Sequence, residues 1–235
     1  MQTIQETEYL FRLTRFGMIN CFLVKEAAGF TLIDTGLLGT ADLILRAAEK
    51  LGDPIRRILL THSHLDHVGS LDRIISRIPS VEIYVGQRES RLLTGDLSLD
   101  SNEKKKRLFG FPGVRSRPHR LVSDGDAIGS LKAVSCPGHT PGHMAYFDQR
   151  DSSLIAGDSF TTQSGVVVAG VFKPLFPFPA LFSWDGELAV RSARKLFDLK
   201  PDLLCVGHGK SITSPAGRME SALEEAFRQF PGSRS

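Results

Sequence analysis

The segment His62–His67, which reads His-Ser-His-Leu-Asp-His, constrains this chain more than any other feature of its sequence. It directly follows Arg57–Thr61, whose apolar core Ile58–Leu60 is typical of a buried strand, and α/β proteins bind ligands at the carboxyl ends of such strands. In extended backbone the first two histidines project to one side and can share one metal ion. The aspartate and the third histidine follow at the turn into a helix, where they can face a second ion. The fold must therefore bring further ligands to this strand end.

Three candidate ligands occur later in the chain, each after an apolar segment that predicts a strand. They are His139 in Pro137–His143, Asp158 after Ala156-Gly157, and His208 between two glycines. Glycine beside each of them lets the backbone approach an ion closely, because no Cβ stands in the way. Singly, each is typical of a turn, but together they complete a set of metal ligands.

Hydrophobic periodicity predicts alternating strands and helices along most of the chain. The predicted strands are Cys21–Lys25, Phe30–Asp34, Arg57–Thr61, Val81–Val85, Leu131–Ser135, His143–Phe147, Ser153–Ala156 and Leu203–Val206. The predicted helices are Thr40–Leu51, Leu71–Ile78, Glu187–Leu199 and a closing helix with Ser214 as N-cap and Pro215 at its first position. Glycine, proline and charge interrupt every period between Gly86 and His119, which predicts helical pieces and loops there.

Composition indicates an ordinary globular chain. With 235 residues, 41% of them hydrophobic and 23% charged, it can bury a core, and we expect a single domain over residues 1–235. The formal charge of +3 is too small to indicate a nucleic-acid partner. The basic run Lys104–Arg107 is typical of a solvated face, with an anionic partner as the alternative.

Several features predict a cytoplasmic protein that does not contact a membrane. No segment approaches about 18 uninterrupted apolar residues, and the first ten residues contain two glutamates and no signal-peptide core. The three cysteines, Cys21, Cys136 and Cys205, are far apart in apolar surroundings, which predicts buried free thiols. We expect a small-molecule substrate as the partner, with a homodimer left open.

Asp34, the segment His62–His67, His139, Asp158 and His208 follow one another in the order of the motifs of the metallo-β-lactamase superfamily, which the sequence resembles over nearly its whole length. The resemblance implies an α+β fold, a four-layer αβ/βα sandwich of two mixed sheets with helices on the outer faces. It also implies a ligand set: His62, His64 and His139 on one ion, Asp66, His67 and His208 on a second, and Asp158 as the bridge. Both sets are ordinary catalytic zinc sets with an open position.

The implied chemistry is hydrolysis with two zinc ions, manganese or iron being alternatives. Two dications about 3.5 to 4 Å apart lower the pKa of a shared water, so a bridging hydroxide is the expected nucleophile on an ester, lactone or thioester carbonyl. Asp158 is then catalytic as the bridge, and Asp66 can relay a proton in addition to binding. We expect Asp34 to orient a histidine or the metal loop, and His143 to make a supporting hydrogen bond.

The segment Val166–Trp184 is the candidate for substrate recognition. Its interleaved prolines exclude a regular helix, and it is too apolar for an ordinary exposed loop. A wall for an apolar acyl group, a flap that covers the core and a dimer contact are the alternatives. The candidate substrate-binding aromatics are Phe172, Phe176, Phe178, Phe182 and Trp184.

Some residues disfavour particular branches of the superfamily. Glyoxalase II shares the histidine run and the Gly-His-Thr-Pro-Gly-His loop, but its extra helical domain has no room in this chain. The best-known zinc β-lactamases have Cys or Ser where this chain has Asp158, which leaves promiscuous β-lactamase activity as an alternative. Quorum-quenching lactonases place a Tyr three residues after the bridging aspartate, where this chain has Thr161.

Three alternatives belong to other functional classes. A phosphodiesterase or ribonuclease of the same fold could use Lys104–Arg107 on phosphates, although its tRNA-clamping insertion is not evident. A persulfide-dioxygenase-like oxidoreductase would use one iron with two histidines and the aspartate that corresponds to Asp158. A non-catalytic metal-binding module is disfavoured, since no ligand has been lost.

Overall fold

The computed structural model describes residues 1–174 and 177–234. Contacts divide the chain into two units, the first made of Met1–Asp96 and Gly110–Val122, the second of Leu97–Phe109 and the chain from Ser123 onward. A single domain over the whole chain stays a prediction.

Seven strands form the sheet of the first unit, in the order in which they occur along the chain. The strands from β1 to β4 pair antiparallel, and those from β4 to β7 pair parallel. The first four predicted strands, from Cys21–Lys25 to Val81–Val85, are confirmed and correspond to the third to sixth strands of this sheet. The seven strands are β1 Gln2–Gln5, β2 Leu10–Arg15, β3 Ile19–Glu26, β4 Gly29–Ile33, β5 Ile55–Leu60, β6 Glu82–Gly86 and β7 Arg120–Val122.

The parallel pairing of β4 with β5 positions the first candidate residues. Ile33 pairs with Leu59, so the carboxyl ends of both strands lie side by side at one edge of the sheet. Asp34 follows β4 at that edge, and the segment His62–His67 follows β5. The fully buried side chains of Leu32, Ile58 and Leu60 hold the two strands in the core beneath this edge.

Sequence periodicity did not reveal β1 and β2. Most of β1 is exposed, and β2 interrupts its apolar residues with two arginines. One of them, Arg12, is nevertheless buried, because its Nε donates to Glu6 Oε1 at 2.5 Å. A buried arginine at an inward-facing position interrupts the apolar alternation on which strand prediction depends.

Four helices accompany this sheet: α1 Ala41–Leu51, α2 Leu65–Val68, α3 Leu71–Arg77 and α4 Glu89–Leu93. The predicted helices Thr40–Leu51 and Leu71–Ile78 correspond to α1 and α3. In α1 the buried residues Ile44, Ala47 and Ala48 recur at helical spacing, which is why this stretch packs on the sheet. Between Gly86 and His119 the structure has α4 and otherwise loops, as the interrupted pattern predicts.

The second unit contains a six-stranded sheet in the order β15-β14-β11-β10-β9-β8 and a separate pair of β12 with β13. In the large sheet β11 and β14 pair parallel and the other neighbours antiparallel. Both large sheets are therefore mixed, which confirms the α+β class. The strands are β8 Ala127–Ile128, β9 Leu131–Ser135, β10 Met144–Asp148, β11 Ser153–Ile155, β12 Phe160–Thr161, β13 Val167–Val168, β14 Leu203–Cys205 and β15 Ile212–Thr213.

The α-helices of the second unit are α5 Phe178–Phe182, α6 Gly186–Phe197 and α7 Ala216–Gln229, and 3-10 turns occur at Gly157–Ser159 and Pro231–Arg234. The side chain of Asp185 caps α6 by accepting the backbone N–H groups of Glu187 and Leu188. Within the described ranges, no helix has both the length and the apolar character that crossing a bilayer requires.

Two details of the predicted helices are wrong. Pro215 is the N-cap of α7, and Ser214 precedes it with φ 48°, whereas a capping serine needs extended backbone. Proline was also expected to exclude regular helix throughout Val166–Trp184, yet α5 forms within that segment. Its prolines lie at the start of the helix, where a backbone N–H has no intrahelical partner in any sequence.

Asp72 at the start of α3 should make the stability of the first unit depend on acid pH. Burial opposes its charge, but the Ser116 hydroxyl and the N–H groups of Arg115 and Ser116 donate to the carboxylate and hold its pKa below the ordinary value. A lowered carboxyl pKa stabilises the fold above its unfolded value, near pH 4, and the effect disappears as pH falls through the folded pKa.

We therefore expect Asp72→Asn to lower the free energy of unfolding at pH 7, and expect this loss to shrink at pH 3. Urea unfolding at both values measures the difference, with Asp42→Asn, a half-exposed carboxylate 3.5 Å from Arg77, as the control. An equal loss at both values would contradict the role of the carboxylate charge.

Candidate metal centre

The histidine run of the first unit forms a buried cluster of imidazoles. His62, His64 and His67 are each at most 5% exposed. The Nε2 atom of His62 lies 3.1 Å from Nδ1 of His64, and the rings of His62 and His67 lie 3.9 Å apart between centroids. His64 has extended backbone and α2 begins at the next residue, which carries Asp66 and His67 onto the first turn.

Asp66 is more accessible than the three histidines of this run. Its side chain is 28% exposed, and its Oδ2 lies 4.0 Å from Nε2 of His67. A carboxylate at this distance from an imidazole can bind an ion next to it, and its exposure allows proton exchange with solvent.

Asp34 supports the cluster from the neighbouring strand. Its Oδ1 accepts the N–H of Thr61 at 2.8 Å, and its Oδ2 accepts the Thr61 hydroxyl at 2.7 Å and lies 2.7 Å from Nδ1 of His67. A carboxylate that accepts the Nδ1 proton of a histidine directs the lone pair to Nε2, the usual arrangement behind a metal ligand. Asp34 itself has φ 59°, a conformation that aspartate tolerates better than most residues.

Glu89 is a buried residue that sequence reasoning missed. Its side chain is fully buried, and its Oε1 accepts the backbone N–H of Ser63 at 2.7 Å. It therefore holds the backbone between the first two histidines of the run. No local signal identifies it, because it lies in the irregular stretch after β6.

In the second unit the structure brings together His139, Asp158 and His208. The Oδ2 atom of Asp158 lies 3.5 Å from Nε2 of His139 and 3.1 Å from Nε2 of His208. Asp158 and His208 follow β11 and β14, which pair parallel, so both residues leave the sheet at the same edge. His139 lies in the loop between β9 and β10.

His143 supports Asp158 through the backbone. The N–H of Asp158 donates to Nε2 of His143 at 3.1 Å, so Nδ1 carries the ring proton and lies 3.2 Å from Sγ of Cys136. Burial raises the pKa of the Cys136 thiol to about 12, so it stays protonated at neutral pH. All three cysteines are buried free thiols, as predicted.

Glycine is required beside His139 and beside His208, because neighbouring protein atoms leave no room for a Cβ. A Cβ on Gly138, with φ 137°, would lie 2.2 Å from the backbone nitrogen of Ala189, and one on Gly209, with φ 113°, would lie 2.2 Å from Oγ1 of Thr162. Contacts this short are forbidden. The glycines thus allow the loops that carry His139 and His208 to pack closely on the rest of their unit.

A loop that follows α5 holds His139 in place. The hydroxyl of Ser183 lies 3.2 Å from Nδ1 of His139, and the N–H of Trp184 donates to the His139 carbonyl at 2.9 Å. Ser183 was not predicted, and no motif marks it.

The predicted substrate-binding aromatics differ in exposure. Phe172, Phe178 and Phe182 are between 44% and 54% exposed, whereas Trp184 is 5% exposed and its Nε1 donates to the Lys104 carbonyl. The exposed three are available to an apolar ligand, while the indole is part of the interior of its unit. Phe176 lies outside the described residues.

These donors fit a divalent metal. Two ligand atoms bound to a tetrahedral zinc ion at its usual bond lengths lie about 3.3 Å apart. The His62–His64 pair in the first unit is separated by 3.1 Å, and the two Asp158–histidine pairs in the second by 3.1 and 3.5 Å. Imidazole nitrogen and carboxylate oxygen are also the donors that such ions prefer. Each unit therefore contains donor atoms at separations that suit a divalent ion.

Comparison with known proteins agrees with this chemistry. A sequence model of the metallo-beta-lactamase superfamily matches residues 14–208. The chain is 43% identical to the uncharacterized protein YobT of Bacillus subtilis, over 95% of this chain and 98% of that protein. It is 28% identical to the hydroxyacylglutathione hydrolase GloC of Haemophilus influenzae, over 83% of this chain and 87% of that protein.

A solved structure shows the same fold. The beta-lactamase from Chitinophaga pinensis superposes with a TM-score of 0.70 over 99% of this chain and 94% of its own, at 22% sequence identity. The fold implied by the order of the motifs is therefore confirmed.

Proposed function

Because the chain belongs to the metallo-β-lactamase superfamily, whose members are mostly hydrolases, we propose that it is a dinuclear metal-dependent hydrolase of thioesters or related activated acyl compounds. One observation carries the proposal. In one unit Asp158 lies close to the imidazoles of His139 and His208, and in the other Asp66 lies beside a cluster of three imidazoles. All the ligands that the family requires are present, and each cluster is spaced for a metal.

The proposed ligand sets follow the family. His62, His64 and His139 would hold one ion, Asp66, His67 and His208 would hold the other, and Asp158 would bind both. When bound, two such ions supply hydroxide at neutral pH and neutralise the oxygen charge that develops as an acyl bond breaks.

Neighbouring side chains orient the proposed metal ligands. Asp34 fixes the tautomer of His67, and His143 fixes the backbone of Asp158. Asp66 is accessible enough to pass a proton to the leaving group as well as to bind.

Two observations support an acyclic acyl substrate. GloC is by name a hydrolase of hydroxyacylglutathione, which is a thioester, and the exposed aromatics of the second unit offer surface to an apolar acyl group. Thr161, at the position where lactonases carry tyrosine, is buried and its hydroxyl donates to the His208 carbonyl at 3.0 Å. It therefore braces a ligand loop and does not replace the tyrosine, which favours thioesters and esters over lactones.

We expect the purified chain to bind two divalent ions and to hydrolyse thioesters, with activity lost on chelation and regained with zinc or manganese. The assay compares a glutathione thioester, short- and long-chain acyl thioesters, aryl esters, a lactone, an aryl phosphodiester and a chromogenic β-lactam, alongside metal analysis. One iron per chain with oxygen uptake on glutathione persulfide would overturn the proposal, as would cleavage of the phosphodiester alone.

A further inference from the structure

We infer that Lys104 and Lys106 of the basic run form a strap that positions His139 through the turn Ser183–Asp185. The inference rests on the proposed function only in taking His139 as a metal ligand. It assigns to this part of the basic run a positioning role within the second unit, where the sequence indicated a solvated face or an anion-binding patch.

The turn Ser183–Asp185 determines the position of His139. The hydroxyl of Ser183 contacts Nδ1 of the imidazole at 3.2 Å, and the N–H of Trp184 donates to the His139 carbonyl. The N–H of Asp185 donates to the carbonyl of Gly138 at 2.8 Å. Three consecutive residues thus hold both the ring and the backbone of the ligand, and a displacement of the turn would displace Nε2.

The strap contacts the same three residues. Lys106 Nζ donates to the Ser183 carbonyl at 2.6 Å, and Nε1 of Trp184 donates to the Lys104 carbonyl at 3.1 Å. The Lys104 ammonium also lies 3.6 Å from Oδ1 of Asp185. These contacts join positions about 80 residues apart in sequence, so they are a feature of the tertiary fold.

Among the contacts of the strap, we expect the hydrogen bond from Lys106 to have the largest effect. It supplies a charged donor to a carbonyl of a residue that is only 3% exposed, and hydrogen bonds from charged donors are stronger than neutral ones. Removing the ammonium leaves that carbonyl without this donor and frees the turn to move away from His139. The backbone of residues 104–109 has no helix or strand of its own to hold the strap in place.

Replacement of a group that orients a metal ligand typically lowers metal affinity about 10- to 100-fold. We expect Ser183→Ala to weaken zinc binding within this range and Lys106→Met by about tenfold, near the lower end. Lys105→Met is the matched control, because Lys105 is an exposed cation of the same run, and it should bind zinc as the wild type does. Competition with a chromophoric chelator measures the affinity.

Trp184 provides a second readout. It is the only tryptophan of the chain, and its indole contacts the strap while its backbone contacts His139. Zinc binding to the wild type should change its fluorescence, and Lys106→Met should alter the starting spectrum, whereas Lys105→Met should not.

Two further variants serve as controls. Lys106→Arg keeps a charged donor and should restore zinc affinity, which separates positioning from a failure to fold. In a Ser183→Ala background Lys106→Met should lower zinc affinity less than it does in the wild type, because the contact between the turn and the imidazole ring is already gone. Equal zinc affinity of Lys106→Met and the wild type, or full additivity with Ser183→Ala, would overturn the inference. Absence of hydrolysis by the wild type would overturn only the proposed function.

Discussion

Replacing Asp158 by asparagine is expected to lower turnover on the order of 10³-fold or more and to reduce bound metal below two ions per chain. The Oδ2 atom of Asp158 lies within 3.5 Å of the Nε2 atoms of both His139 and His208. Asparagine keeps the shape of the side chain but removes the negative charge that would hold two cations together. Under the proposed function, loss of this ligand would remove part of the charge stabilisation, several kcal/mol, that the two ions supply.

The fold should survive this substitution, which makes the result interpretable. The Asp158→Asn chain should unfold in urea at a midpoint close to that of the wild type when both are free of metal. Asp198→Asn is the control, because Asp198 forms an exposed ion pair with Arg194 in the same unit, and such pairs contribute little. Wild-type turnover and metal content in Asp158→Asn would exclude the bridging role.

Replacing Asp34 by alanine should have the second large effect, on stability as well as on metal binding. The carboxylate accepts both the N–H and the hydroxyl of Thr61 and orients His67, and all of these groups are buried. Leaving several buried donors without an acceptor costs about 3 kcal/mol or more. Zinc affinity should fall about 10- to 100-fold, because the imidazole of His67 loses the partner that fixes its tautomer.

Asparagine at the same position separates charge from conformation. Asn tolerates the left-handed backbone of residue 34 as well as Asp does, and its carbonyl oxygen can accept one of the Thr61 donors. Asp34→Asn should therefore be more stable than Asp34→Ala and still bind zinc more weakly than the wild type. Unfolding of the metal-free protein and chelator competition give the two quantities. If Asp34→Asn binds zinc with wild-type affinity, the carboxylate charge does not act on His67.

Features encoded over short stretches of sequence were predictable. The strands from β3 to β6 and the helix α1 are marked by apolar periodicity, and the histidine run follows directly from the end of β5. Parallel pairing of β4 with β5 then accounts for the position of Asp34 beside that run. Strand ends and short motifs therefore contain most of the information about the clustered histidines and aspartates.

The supporting contacts were not predictable, because they join distant parts of the chain. Glu89 bonds to a residue 26 positions away, Ser183 to one 44 positions away, and Lys106 to one 77 positions away. None of the three lies in a pattern that periodicity or spacing could detect. The exposure of Phe172, Phe178 and Phe182 and the burial of Trp184 could not be predicted either, since composition alone does not say which aromatic side chain faces the interior.

The parallel pairing of β11 with β14 has a consequence for how such a protein can diversify. Asp158 and His208 are fixed where these strands end, while the long connection between them contains the apolar segment Val166–Trp184. Lengthening a loop is inexpensive, about 0.6 kcal/mol for each doubling of its length, provided its ends stay in register. Substitutions and insertions in this crossover can therefore change the surface beside Asp158 and His208 while these two residues keep their positions. Under the proposed function, new substrate preferences would evolve there without new catalytic chemistry.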